Sequence, residues 1–266
     1  MMLDMMEIDS LCDVGGGVGL WVSEFLKIKG DGIGLENVRC LDGDYVKENQ
    51  LLIPSECFIP TDLENRISMS GRRFDLAMSL EVAEHLSPER ADSFVEDLVN
   101  LSDTILFSAA VPGQGGTHHV NEQHMAYWTV KFGEHGYVPF DVIRPEIQDN
   151  MDIPFWYRQN IIVFAKKGTK NYDTFSGRAN GVLVHTVNDE LYGRYTSLCT
   201  ELEKENASLR ETIDQITEEN RMYRDTNQSL RDDVDRISQE LSMITSGSTY
   251  KAYAWLKKHI FSKIKK

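Results

Sequence analysis

Residues 9–19 read Asp-Ser-Leu-Cys-Asp-Val-Gly-Gly-Gly-Val-Gly. An apolar run closes on Asp13, and glycines follow at 15, 16, 17 and 19. This order predicts a strand, a tight turn and a helix start in quick succession. The helix is expected over 18–28, with Trp21, Val22, Phe25 and Leu26 on one face. Glycine lets the backbone approach a ligand closely, and a helix N-terminus offers free N–H groups to an anion. The glycines are therefore spaced for a nucleotide-like cofactor. The dinucleotide fingerprint G-x-G-x-x-G does not fit, because its third glycine, counted from Gly15, falls on Leu20. An ordinary glycine turn after a strand is the plain alternative.

The 266 residues suit one mid-sized domain and an appendage. A net charge of −14 argues against a general nucleic-acid binder, which would carry a basic footprint. The four cysteines, Cys12, Cys40, Cys57 and Cys199, have no paired spacing, as expected of a reduced cytosolic protein. No span and no signal peptide are expected, since there is no long apolar run and no basic segment before the first apolar residues. Residues 249–266 hold six lysines and no acid, so the rest of the chain carries −20. That asymmetry sets the tail apart.

Strand patterns occur at 8–14, 32–36, 56–60, 73–79, 103–108, 137–143 and 159–165. Helix patterns lie between them at 18–28, 43–50, 87–101 and 123–135. Ser87-Pro88-Glu89 reads as a serine N-cap, a proline in the first turn and an acid at the positive end of the helix dipole. The expected fold is α/β, a Rossmann-like, mainly parallel sheet with helices on both faces. Ligands then sit beyond the carboxyl ends of the strands, here Asp13, Glu36, Asp62 and Ser79-Leu80-Glu81. This domain is expected over 1–166.

Residues 167–187 read as a polar linker with one apolar patch, Val182-Leu183-Val184. A heptad then runs from Tyr192 to Ile244. Its d positions are Tyr195, Leu202, Leu209, Ile216, Tyr223, Leu230, Ile237 and Ile244. Its a positions are Tyr192, Cys199, Asn206, Ile213, Asn220, Asn227, Val234 and Leu241. A parallel coiled coil over 188–245 is expected, with the asparagines enforcing register and with dimer and trimer both open. After Ser246-Gly247-Ser248, Tyr253, Leu256, Ile260 and Ile264 share a helical face among the lysines, flanked by Trp255 and Phe261. Residues 249–266 thus have the composition of an amphipathic interfacial helix.

The spacing D-x-G-x-G-x-G resembles motif I of class I S-adenosylmethionine-dependent methyltransferases. Further matches follow in order. Gly32-Ile33-Gly34-Leu35-Glu36 resembles the family's second strand, Ile59-Pro60-Thr61-Asp62-Leu63 its third, and Phe74-Asp75-Leu76-Ala77-Met78-Ser79-Leu80-Glu81-Val82-Ala83-Glu84-His85-Leu86 its fourth-strand motif. The resemblance covers residues 8–166. It implies S-adenosylmethionine as cofactor, held at Asp13, Gly15, Gly16, Gly17 and Gly19. It implies Glu36 on the ribose hydroxyls, Asp62 and Leu63 at the adenine, and Ser79 in the wall of the donor site. Because only ten or so residues precede the first strand, a substrate-covering helix is expected to be absent.

After the fifth strand comes Pro112-Gly113-Gln114-Gly115-Gly116-Thr117-His118-His119-Val120-Asn121-Glu122-Gln123. With Arg144-Pro145 and Trp156-Tyr157-Arg158-Gln159-Asn160, it resembles methyltransferases associated with bacterial surface-glycan (O-antigen) assembly. A hydroxyl acceptor needs a base within reach, and histidine has the right pKa. His119 is the first candidate, because the family pattern places a histidine there, with His85 and Glu81 in support. Glu81-x-x-Glu84-His85 also has ligand types for a metal, although the same letters occur in metal-free relatives, and the reading carries no metal. The expected function is O-methylation of a sugar hydroxyl on a surface polysaccharide. The coil would act as spacer and the tail would dock on an anionic membrane surface or a membrane-bound glycosyltransferase at the inner face of the cytoplasmic membrane. Two alternatives stand beside it: a small-molecule or lipid O-methyltransferase, and a non-catalytic scaffold with a cofactor-binding head.

Overall fold

The structure is a computed structural model and describes residues 1–179 and 189–260. It divides into two units, residues 1–194 and 195–266. The first contains α1 (Met2–Met5), β1 (Leu11–Val14), α2 (Leu20–Lys29), β2 (Val38–Asp42), β3 (Phe58–Pro60), β4 (Leu76–Leu80) and α3 (Ala91–Leu101). It continues through β5 (Thr104–Ser108), α4 (Met125–Glu134), β6 (Tyr137–Phe140), α5 (Arg144–Ile147), α6 (Phe155–Asn160), β7 (Ile162–Lys166) and α7 (Lys170–Ser176). The strands form one seven-stranded sheet in the order β3-β2-β1-β4-β5-β7-β6. All neighbours are parallel except β7, which runs antiparallel to β5 and β6. The mainly parallel α/β architecture expected from the alternation is the one found.

Alternate strand residues feed two cores, as the period of two dictates. Ile105, Phe107, Ile162 and Phe164 face Phe94, Leu98, Trp128 and Phe132 of α3 and α4. Leu76, Met78, Leu106 and Val163 face the opposite way, toward Val22, Phe25 and Phe175 of α2 and α7. Both faces being covered, the central strands are buried along their whole length.

The structure corrects several expectations. The second strand is not 32–36 but 38–42. Gly32 and Gly34 have no side chains to pack on a sheet, whereas Val38, Cys40 and Leu41 are at most 1% exposed. The segment 43–50 forms only one turn of 3-10 helix, at Glu48–Gln50. Ser87 does not cap a helix: its N–H and hydroxyl donate to Glu64, and a 3-10 turn at Pro88–Arg90 leads into α3. The first unit does not stop at 166, because α7 lies in the expected linker and seals Phe175 into the core. The Val182-Leu183-Val184 patch lies outside the described residues.

Most of the second unit is α8, which begins in the last residues of the first and runs continuously over Asp189–Ser246, 58 residues, or roughly 87 Å. Its d positions are between 41% and 68% exposed. Gly247 ends it, and α9 follows at Ser248–His259. Tyr253, Trp255 and Leu256 of α9 are exposed, and Phe261, Lys263, Ile264, Lys265 and Lys266 lie outside the described residues. No described helix is long and apolar enough to cross a membrane.

Candidate active site

The carboxyl edge of β1, β2, β3 and β4 opens into a cavity of about 870 Å³. Gly15, Asp42, Tyr45, Asp62, Leu63, Glu81 and His85 are among its lining residues. The turn after β1 forms its floor. Gly15, Gly17 and Gly19 all have positive φ. A Cβ on Gly15 would lie 2.3 Å from Val82, while one on Gly17 would meet nothing within 4 Å. The first glycine therefore lets the turn lie against the chain leaving β4, and the second leaves space on the open side. Gly19 starts α2 and packs on Ile53.

Asp42 ends β2 and fastens this turn. Its Oδ2 accepts the Gly17 N–H at 2.7 Å, and its Oδ1 accepts the Gly43 N–H at 2.7 Å and the Tyr45 hydroxyl. Beneath the turn lies Asp13, 1% exposed, with its Oδ2 unpartnered. Burial, and next the Asp42 charge, push its carboxyl up to about 7. A Cβ on Gly16 would come within 2.6 Å of both Asp13 and Cys40, so residue 16 must be small.

Across the cavity, Asp62 folds its own loop by accepting the Glu64 N–H and an Asn65 amide N–H. Buried Arg90 holds the same loop from below by donating to the Leu63 and Asn65 carbonyls. It is paired with Asp97, whose carboxylate also accepts the Ile67 N–H.

The remaining wall comes from the turn after β4. Glu81 has a φ of 56°, a strained conformation for a side-chain-bearing residue. Its N–H is held by both oxygens of Ser108, and its carboxylate accepts from the Gln114 and Asn160 amides. Glu84 is fully buried and neither oxygen has a well-aligned hydrogen bond; burial and the Glu81 charge push its carboxyl up to about 8 against the opposing pull of the Glu84 and Ala110 backbone N–H groups. The His85 and His119 rings meet edge to face, centroids 4.8 Å apart. Although His85 is exposed as a whole, partial desolvation of its ring, and next the His119 ring, hold it below its usual pKa. Glu122 organises the loop after β5. One oxygen lies 2.8 Å from His119 Nδ1 and also accepts the Gly115 N–H, while the other accepts the Gly113 N–H.

Of the residues singled out from the sequence, Gly15, Asp62, Leu63, Glu81 and His85 share the cavity, and His119 packs on His85. Asp13, Gly16 and Ser79 lie underneath, Ser79 being fully buried. Glu36 is not at the site. It sits in a 3-10 turn before β2, next to Val38, whose partner is Leu11 at the start of β1. That is the amino edge, a strand's length from the cavity. The carboxyl-edge acid is Asp42, which the sequence reading missed together with Tyr45. The signal was present: Val38-Arg39-Cys40-Leu41-Asp42-Gly43 repeats the form of an apolar run closing on an acid and then glycine, as at 11–15.

No protein-family model and no curated protein matches this chain. Solved structures do. The methyltransferase domain of bacterial CtHen1 is 19% identical with a TM-score of 0.45, over 62% of this chain and 93% of that one. Magnesium protoporphyrin IX methyltransferase from Synechocystis PCC 6803, with bound SAM, is 16% identical with a TM-score of 0.41, over 62% of this chain and 73% of that one. The LepI complex with SAM is 14% identical with a TM-score of 0.42, over 60% of this chain and 43% of that one.

Proposed function

We propose that the chain is an S-adenosylmethionine-dependent O-methyltransferase acting on a sugar hydroxyl of a bacterial surface polysaccharide. The observation that carries the reading is the cavity at the carboxyl edge, where the glycine turn, Asp42 and the Asp62-Leu63 loop stand on three adjacent strands. The open side of Gly17 and the N-terminus of α2 suit the cofactor's methionine end. Asp42 suits a ribose diol, because one carboxylate accepts two hydroxyl hydrogen bonds. Leu63 and Asp62 suit the adenine ring and its amino group.

When bound, the cofactor supplies an electrophilic methyl group on a sulfonium. The protein's task is to align the acceptor hydroxyl and take its proton. His119, with Nδ1 engaged by Glu122, has Nε2 left for the hydroxyl, and His85 supports its ring. Glu81, fixed by two amides, forms the wall between donor and acceptor sides.

The polysaccharide acceptor rests on the glycine- and amide-rich loop 112–123 together with the chain beyond the head. The exposed heptad stripe suits self-association into a parallel dimer or trimer. The lysines and exposed aromatic residues of the tail suit an anionic membrane surface or a membrane-bound glycosyltransferase. A spacer between head and docked tail would limit how far a glycan grows before its end is methylated. On this reading the protein works in the cytoplasm, peripheral to the inner face of the membrane.

The test is turnover of methyl-labelled S-adenosylmethionine by the full chain with lipid-linked oligosaccharides. Label is expected on carbohydrate, and His119→Ala should lower turnover by roughly 10²-fold or more with cofactor affinity retained. Label on a small-molecule or lipid acceptor instead would replace the substrate class. Cofactor binding without turnover on any acceptor would favour a scaffold.

A further inference from the structure

The cavity at the carboxyl edge is lopsided in charge. Asp42, Asp44, Asp62, Glu64 and Glu81 line it, and among the described residues no lysine or arginine does. Four of the five acids have a plain account. Asp44, Asp62 and Glu64 are exposed, so water and salt screen them. Asp42 commits its two oxygens to the Gly17 and Gly43 N–H groups and the Tyr45 hydroxyl. Glu81 is different. It is half-buried, and the groups that hold its carboxylate are the neutral amides of Gln114, at 2.9 Å, and Asn160, at 3.2 Å. Both amides are buried themselves. They fix the carboxylate without cancelling its charge. A sheltered charge with no opposite partner is costly and favours a cationic ligand.

The local backbone keeps the side chain in place. Glu81 has a positive φ, and its N–H is held by the Ser108 carbonyl and hydroxyl. Strain of this kind persists where surrounding contacts over-determine it, and it clusters at ligand sites. The negative charge of Glu81 is felt by Glu84 and His85 in the turn after β4 and by Tyr157 in α6. The Tyr157 ring meets Trp21, in the first turn of α2, edge to face with centroids 5.7 Å apart. Aromatic rings beside a carboxylate favour a weakly hydrated cation, because both attract positive charge.

We infer that Glu81 is the counter-charge for the sulfonium of S-adenosylmethionine, and that the site thereby distinguishes the methyl donor from its demethylated product. This role deepens the methyltransferase reading and rests on it. The donor carries a positive sulfur, and S-adenosylhomocysteine carries a neutral thioether. Their adenosine and amino-acid ends are the same, so contacts at Gly17, Asp42 and Asp62 are common to both. Discrimination falls to a group that reads charge. In the transfer the C–S bond pair stays on sulfur, the acceptor oxygen forms the new C–O bond, and its proton passes to His119 Nε2. Positive charge thus moves from sulfur to the histidine pair, and the total is unchanged. Glu81 lines the same cavity as His85, so its charge stays balanced while the product sulfur loses its hold.

Calorimetry on the full chain tests this, with S-adenosylmethionine and S-adenosylhomocysteine as ligands and no acceptor present. Wild type should bind the donor roughly tenfold or more tighter than the product. Glu81→Gln keeps the shape and one acceptor oxygen and loses the charge. It should weaken the donor by that factor and leave the product's affinity unchanged. Retained product binding certifies the fold of the variant. Asp44→Asn removes an exposed acid of the same wall and should leave the donor-to-product ratio at its wild-type value. Wild type that binds both ligands equally, or the product more tightly, overturns the inference and leaves the methyltransferase reading standing. Glu81→Gln that weakens both ligands together shows a strut of the wall and overturns it as well. So does an equal loss of discrimination in Asp44→Asn, which would trace the effect to the field of the whole wall. Wild type that binds neither ligand overturns the methyltransferase reading itself, and this role with it.

Discussion

The head and the long helix use the same apolar residue types to opposite effect. Leu11, Val38, Ile105 and Phe164 of the sheet are at most 1% exposed, whereas Leu209, Ile213, Ile216 and Val234 of α8 are between 52% and 61% exposed. The head buries its strands between two helical layers of the same chain. The helix is regular over 58 residues, but among the described residues of the second unit nothing covers its stripe. Local propensity and i to i−4 hydrogen bonds shape a helix, yet tertiary burial supplies most of its stability. The contrast therefore separates a region whose core lies within the chain from one whose core is expected from other copies.

The largest expected effect tests that difference directly. Replacing two d residues with charges, Leu209→Asp with Ile216→Asp, should convert the proposed oligomer to a monomer in sedimentation while the head keeps its melting transition. If the doubly charged variant sediments like wild type, the stripe is not the interface. The reverse substitution belongs in the head. Asp97→Ala leaves the Arg90 guanidinium buried beside the Asp62-Leu63 loop without its carboxylate. Breaking a buried pair from one side costs about 3–5 kcal/mol. The head's denaturant midpoint should fall accordingly, and the transition of the helix should not move. An unchanged head would mean that Arg90 is satisfied by the Leu63 and Asn65 carbonyls alone.

The two regions also differ in how legibly the sequence encodes them. The heptad needs only local periodicity, and the helix was readable from Tyr192 to Ile244. Six of the seven expected strands overlap one that is found, because apolar runs bounded by turns are local signals too; the strand expected at 32–36 does not. Position within the sheet is not local. The segment Gly32-Ile33-Gly34-Leu35-Glu36 has an apolar–acid ending, but only the pairing of Val38 with Leu11 reveals that this ending lies at the amino edge. The same limit explains α7, whose polar sequence conceals a single buried anchor, Phe175. On the acceptor side, His85 and His119 were both named, while their edge-to-face contact and the buried carboxylate of Glu84 exist only after the loops from β4 and β5 meet.

The smallest expected effect bears on that displaced strand. Asp42 already accepts the Gly17 N–H and the Tyr45 hydroxyl, so its carboxylate points into the cavity with both oxygens in use. A ribose diol would compete with the Tyr45 hydroxyl, which is free to move because Tyr45 is 70% exposed, while the Gly17 contact keeps the carboxylate aimed. Asp42→Ala removes the charge-assisted acceptor and the tie on the glycine turn. Losing a hydrogen bond to a charged group costs about 1.5–3 kcal/mol, or roughly 10–150-fold in Kd. Glu36→Ala, a solvent-exposed change at the other edge of the sheet, should leave affinity for S-adenosylmethionine unchanged. Asp42→Asn separates the two contributions, since it preserves shape and one acceptor oxygen but loses the charge, and it should fall between wild type and Asp42→Ala. Calorimetry on the three variants decides the matter: a loss confined to Glu36→Ala would return the ribose contact to the amino-edge acid and contradict the register of β2.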